Sequence, residues 1–153
     1  MTLHSTISKW DARFLKLAEH VSTWSKDPST KVGAAIVDAD KRVISLGYNG
    51  FPASITDYPG DYMDRDTKLK KVVHAEANAI IFSQRSLKSC TIYLWPFMPC
   101  SNCAGQIIQS GINRVVAPIN ANPKWQESFK LTQSMFEEAG IELDLYGLEL
   151  ING

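Results

Sequence analysis

The sequence predicts an α/β fold, a three-layer α/β/α sandwich built on a mixed five-stranded sheet. Three observations carry this. Two Val- and Ile-rich runs flank a short polar turn in the N-terminal third, which is the pattern of a hairpin. The C-terminal half alternates strand-like and helix-like segments, which requires parallel crossovers. Stripes of apolar residues at three- and four-residue steps stand on either side of these strands. No internal repeat or low-complexity tract interrupts the pattern, so residues 1–153 read as a single domain.

The first element is a helix over residues 7–24, where Ile7, Trp10, Phe14, Leu17, Ala18, Val21 and Trp24 form one apolar stripe. The run Ser25–Ser29 breaks it. Lys31–Asp38 and Arg42–Gly47 form the two hairpin strands around Asp38–Lys41. Tyr48–Lys71 has two prolines, two glycines, four aspartates and no sustained period, so it is expected to be a long loop with a functional role. Helix resumes near Val73, and Ala75, Ala77, Ala79, Ile80, Ile81 and Phe82 predict that it is largely buried. Thr91–Trp95 reads as a short buried strand. The helix over Cys100–Ser110 stops at Gly111, Ile112–Pro118 is the next strand, and the helix over Trp125–Ala139 stops at Gly140 before a last strand, Ile141–Tyr146.

Composition narrows the function classes. Hydrophobic residues are 44% and charged residues 21%, the balance of an ordinary soluble domain. Lysine plus arginine and aspartate plus glutamate each total 16, so there is no chain-wide positive field to hold a polynucleotide, and a small ligand is the expected partner. No run approaches the roughly 20 apolar residues of a membrane span, and the first residues lack a signal-peptide pattern, which predicts a cytoplasmic protein without membrane association. Three cysteines, two of them separated by two residues, point to metal or redox chemistry and not to a disulfide framework.

Two motifs concentrate the chemistry: His74-Ala75-Glu76 at the start of the second helix and Pro99-Cys100-Ser101-Asn102-Cys103 at the start of the third. Cysteines three apart on a helix share a face, and the positive helix end favours their thiolates. Two thiolates with one imidazole select zinc, and a three-ligand zinc site keeps its fourth position for water, the mark of a catalytic site. Glu76, two residues past His74, misses the metal but flanks that water, where one carboxylate can serve as both base and acid. A redox Cys-x-x-Cys would need no His-x-Glu partner motif. A closed structural zinc site would need Cys90 as its fourth ligand, and Cys90 is expected instead to be a small core residue. His4 and His20 are assigned no role.

The pair His-x-Glu and Pro-Cys-x-x-Cys is the signature of zinc nucleobase deaminases. Together with Lys26-Asp27-Pro28-Ser29-Thr30-Lys31-Val32-Gly33-Ala34 and Gly47-Tyr48-Asn49-Gly50-Phe51-Pro52, it makes residues 26–111 resemble the deoxycytidylate (dCMP) deaminases. The resemblance implies hydrolysis of dCMP to dUMP and ammonia, feeding thymidylate synthesis, with one zinc per subunit on His74, Cys100 and Cys103 and with Glu76 as proton shuttle. It also implies a homohexamer activated by dCTP with Mg2+ and inhibited by dTTP. Asn49 would be a polar contact to the nucleotide. Of the nearby cations, Lys26 and Lys31 with Ser29 and Thr30 are the favoured holders of the substrate phosphate, while Gly47, Tyr48, Gly50, Arg65 and Lys68 are candidates for an effector triphosphate at a subunit boundary.

Three rivals stand beside this reading, one of them a nucleoside deaminase, which usually replaces the ligand histidine with cysteine and would have no use for a phosphate pocket. A deaminase of adenosine in transfer RNA would share the cysteine motif but would be expected to carry a basic excess. A catalytically silent nucleotide-binding or zinc domain would have no use for Glu76.

Overall fold

The computed structural model describes all residues from Met1 to Gly153. In chain order the elements are β1 (Thr2–Leu3), α1 (Lys9–Ser22), β2 (Gly33–Val37), β3 (Val43–Tyr48), α2 (Pro59–Met63), α3 (Arg65–Lys71), α4 (Ala75–Ser83), β4 (Thr91–Trp95), α5 (Ser101–Ser110), β5 (Arg114–Pro118), a 3₁₀ turn (Pro123–Trp125), α6 (Gln126–Ala139), β6 (Glu142–Tyr146) and α7 (Leu148–Asn152). One sheet runs in the order β1-β6-β5-β4-β2-β3. Its β1, β6, β5 and β4 neighbours are parallel and β4, β2 and β3 are antiparallel, so the sheet is mixed as expected.

The sheet has six strands, not five. The additional strand is β1, which pairs through Thr2 with Asp144 and through Leu3 with Leu145. Two residues are too short to show a period, so only the pairing reveals it. The expected loop over residues 48–71 contains α2 and α3, and a last short helix, α7, follows β6.

α1 and α7 pack on one face of the sheet, around Phe14, Leu15, Ala18, Tyr93 and Val116. α4, α5 and α6 pack on the other, around Ala75, Ala79, Ile92, Ala104, Ile107 and Phe136. The apolar stripes are narrower than the sequence pattern suggests. Trp10 and Trp24 are exposed at 36% and 47%, because Trp24 lies past the end of α1 and Trp10 sits at the edge of its buried face. On α4 the buried apolar contacts come from Ala75 and Ala79, whereas Ile81 and Phe82 face outward.

Two glycines set how closely helices approach the hairpin. A Cβ on Gly33 of β2 would lie 2.0 Å from the carbonyl oxygen of Ala18 on α1, and one on Gly47 of β3 would lie 2.4 Å from that of Ala75 and 2.5 Å from the nitrogen of Ala79 on α4. The hairpin is thus held between α1 and α4 at backbone contact, and α4 begins where the chemistry is concentrated.

A polar cluster is buried beneath α1. Arg114 of β5 donates to both carboxylate oxygens of Asp11, at 3.0 and 2.7 Å, and through Nε to Asp144 at 2.8 Å. The hydroxyls of Tyr93 and Tyr146 each donate to Asp11 at 2.7 Å. His4 Nε2 lies 2.8 Å from the other oxygen of Asp144, tying the N-terminal arm beside β6.

Candidate active site

His74 and Cys100 are the N-cap residues of α4 and α5, and Cys103 is the third residue of α5. Both helices therefore aim their unsatisfied N–H groups at one point, where their dipoles favour negative charge. The three ligand atoms lie within 4.8 Å of one another. His74 Nδ1 is 3.2 Å from Cys103 Sγ and 3.7 Å from Cys100 Sγ. A tetrahedral zinc with ordinary bond lengths would separate such a nitrogen and sulfur by roughly 3.6 Å, so the donor set fits zinc. Cys90 is remote from the cluster in the apolar core, and burial pushes its thiol up.

The two thiols are shifted in opposite directions. A hydrogen bond from Cys103 pulls the Cys100 thiol down to about 4 against the cost of its burial, with His74 helping. The Cys103 thiol is pushed far up, first by that same bond to Cys100 and then by burial. The Cys100 hydrogen bond raises His74, against its burial. Glu76, at the second position of α4, is 5% exposed, and burial pushes its carboxyl well above the ordinary glutamate range. A carboxyl so placed can both hold and give up a proton.

His74, Glu76 and Cys100 line a cavity of about 410 Å³, a volume suited to one small ligand. Asp27, Ser29 and Thr30 line it from the loop before β2, Asn49 from just past the end of β3, and Arg65 and Lys68 from α3. Lys68 Nζ lies 3.4 Å from the buried carboxylate of Asp27, a contact across 41 residues that folds α3 over the site. Phe97, Lys124, Trp125 and Ser128 line it as well. The hydroxyl of Thr132 on α6 donates to the carbonyl of Pro99 at 2.9 Å, anchoring the approach to Cys100.

The two groups of phosphate candidates exchange places relative to expectation. Lys26 does not line the cavity; it points outward to Asp57 at 2.8 Å, with its side chain 68% exposed. Lys31 also stays out, because its ammonium donates to the carbonyl of Ser25. The backbone N–H groups of Ser29 and Thr30 are used by Asp27, at 2.8 and 3.4 Å, which leaves their hydroxyls as the donors in that loop. Arg65 and Lys68, expected to face an effector, open into the same cavity as Glu76.

The Gly47–Gly50 segment braces α4. Gly47 meets Ala75 and Ala79 at backbone contact, and the carbonyl of Tyr48 accepts from Asn78 at 2.8 Å. Gly50 exchanges two backbone hydrogen bonds with Val73, at 3.1 and 2.8 Å, immediately before His74. None of these three residues lines the cavity. Asn49 does, yet its amide is engaged: Nδ2 donates to the carbonyl of Thr30 at 2.9 Å and lies 3.5 Å from Asp27, and Oδ1 accepts from the N–H of Val32 at 2.9 Å.

Asp27, Phe97, Lys124, Trp125 and Ser128 are cavity residues that sequence reasoning passed over. Asp27 lies inside the quoted Lys26–Ala34 segment and so had a signal; Lys124, a single lysine beside a tryptophan ahead of a helix, had none.

Comparison with known proteins was made against this geometry. Residues 8–119 match the family model described as the cytidine and deoxycytidylate deaminase zinc-binding region. An uncharacterised deaminase from the luxG 3′ region of Aliivibrio fischeri is 43% identical over 148 residues, covering 95% of this chain and 99% of that protein. The Homo sapiens deoxycytidylate deaminase is 34% identical over 141 residues, covering 87% of this chain and 77% of that protein. The fold superposes with a TM-score of 0.71 on the dCMP deaminase of cyanophage S-TIM5, solved in complex with dCMP and dUMP, at 21% identity and covering 92% of this chain and 98% of that one.

Proposed function

We propose, because the chain belongs to the cytidine and deoxycytidylate deaminase family, that it hydrolyses dCMP to dUMP and ammonia. The observation that carries this is one cavity with the His74–Cys100–Cys103 triangle and buried Glu76 at one end and the cations of α3 opening into it. Curated relatives named as deoxycytidylate deaminases support the same substrate.

His74, Cys100 and Cys103 would hold the zinc, two as thiolates and one as a neutral imidazole. When bound, zinc supplies Lewis acidity that brings the pKa of a water to about 7. Glu76 accepts a proton from the attacking water as its oxygen adds to C4 of cytosine, and delivers that proton to N3. It then carries the remaining proton to the exocyclic nitrogen, so that the C4–N4 bond breaks and ammonia leaves. Burial of Glu76 suits this double duty, since it raises the carboxyl's hold on a proton above that of an ordinary glutamate.

Arg65 and Lys68, with the hydroxyls of Ser29 and Thr30, would hold the 5′-phosphate. The same reading includes cytoplasmic supply of dUMP for thymidylate synthesis, a hexameric assembly, and control by dCTP with Mg2+ and by dTTP. Those parts rest on the resemblance of residues 26–111.

The test is ammonia release by zinc-loaded protein from dCMP, deoxycytidine and CMP, with and without dCTP. Turnover of dCMP in preference to the other two is the expected result, and stimulation by dCTP would establish control. Preference for the nucleoside would reassign the substrate, and no release from any of them would remove the activity.

A further inference from the structure

Arg65 and Lys68 of α3 are not the only cations that line the cavity: Lys124 of the 3₁₀ turn Pro123–Trp125 lines it too, together with Trp125 and with Ser128 in the first turn of α6. Lys124 makes no ion pair with any carboxylate of the chain. Its ammonium lies 4.8 Å from the centroid of the Trp125 ring, which in turn leans on Phe97 at 5.4 Å.

The backbone carrying Lys124 is fixed although its charge is free. Asn122 Oδ1 accepts from the Lys124 N–H at 3.0 Å, and Gln126 Nε2 donates to the carbonyls of Asn120 and Asn122 at 2.9 and 3.0 Å. A rigid turn thus presents a lysine whose head group has only an aromatic face for company.

Charge identifies what would complete it. Arg65, Lys68 and Lys124 are three cations lining the cavity against two carboxyl groups, Asp27 and Glu76, so positive charge is left unmatched. A zinc ion on two thiolates and a neutral imidazole has no net charge and cannot offset it. A phosphomonoester carries about −1.5 to −2 at neutral pH and offers three acceptor oxygens, which fits this excess.

We infer that Lys124 is a specificity-determining residue: it completes the phosphate-binding set, so that a 5′-monophosphate is held between α3 and the Pro123–Trp125 turn. This rests on the dCMP reading above. Without Lys124 the site keeps the cations of α3 and its base-binding end, and loses discrimination between the nucleotide and the free nucleoside.

The experiment is calorimetric titration of zinc-loaded protein carrying Glu76→Gln, which prevents turnover, with dCMP and with deoxycytidine. Adding Lys124→Ala should weaken dCMP about tenfold and leave deoxycytidine unchanged, while Lys124→Arg should restore most of the loss. Binding of dCMP should also become less sensitive to salt in Lys124→Ala. Unchanged dCMP affinity, equal weakening of both ligands, or no dCMP binding to the parent protein would each overturn the inference. Ammonia release by the protein with native Glu76 is scored separately: silence there with phosphate-dependent binding intact would sink the dCMP reaction and leave the role of Lys124 standing.

Discussion

The two faces of the sheet each bury a cluster of ionisable groups, and the clusters differ in whether the chain satisfies them. Beneath α1, the Asp11 carboxylate accepts four hydrogen bonds, from Arg114 twice and from Tyr93 and Tyr146, and Asp144 takes Arg114 and His4. Donors and acceptors are matched, and nothing is left over for a ligand. At the N-terminal ends of α4 and α5, an imidazole nitrogen and two thiol sulfurs converge on one another, beside a carboxyl that burial holds high and that hydrogen-bonds Cys103. Burial of charge is therefore not the sign of a site; incompleteness is.

The sharpest way to break the comparison is Glu76→Gln. It should lower turnover by about 10²- to 10⁴-fold while leaving zinc content and thermal melting in place. Retained turnover would take Glu76 out of the mechanism.

The opposite pattern is expected on the other face. Asp11→Ala removes four hydrogen bonds and leaves Arg114 paired only through Nε, to Asp144 and Glu142, which should cost about 3–5 kcal/mol, seen as a Tm lower by roughly 6–20 °C, with activity per folded molecule unchanged. An equal loss of specific activity would mean that the two faces communicate.

The pH dependence of stability sharpens the contrast. Burial pushes the Asp11 carboxyl up, but hydrogen bonds from Arg114, Tyr146 and Tyr93 outweigh it and hold the group below the usual carboxylate range. Asp144 is depressed likewise by His4 and Arg114. Such groups contribute stability that is present above the unfolded carboxylate value near 4 and is lost as pH falls through their lower folded values. Chemical-denaturation midpoints should therefore drop steeply below about pH 4, and the drop should be shallower in Asp11→Asn.

The smallest effect is expected at Cys90→Ser, which buries a hydroxyl in the core for about 1–3 kcal/mol. Zinc content measured by atomic absorption should stay the same; loss of metal would make Cys90 a ligand and the site a closed structural one.

The residues proposed to carry chemistry are legible because metal ligation and proton transfer demand particular side chains at short spacings. His74 with Glu76, and Cys100 with Cys103, each fall within a single helix turn. The hairpin and the parallel strands were legible for a similar reason, since their periodicity is local. What was not legible depends on contacts distant in the chain. β1 exists because Thr2 and Leu3 find β6, and α3 closes on the site because Lys68 finds Asp27. That second contact moves Arg65 and Lys68 into the cavity, while Asp57 and the Ser25 carbonyl draw Lys26 and Lys31 away. Trp10, Trp24, Ile81 and Phe82 fit helical apolar patterns and are nonetheless exposed, since residue type alone does not tell a buried face from its edge.

The contacts at Gly33 and Gly47 set a manufacturing tolerance for the whole centre. With a hypothetical Cβ already 2.0 to 2.4 Å from a helix carbonyl, the two-strand hairpin works as a shim of fixed thickness between α1 and α4. Adding one methyl group at Gly47 would push on the helix that starts at His74, while the helix bearing the cysteines is braced chiefly against α6, so the imidazole would shift relative to the thiols. The alignment of imidazole and thiolates is thus calibrated by an atom that the chain leaves out.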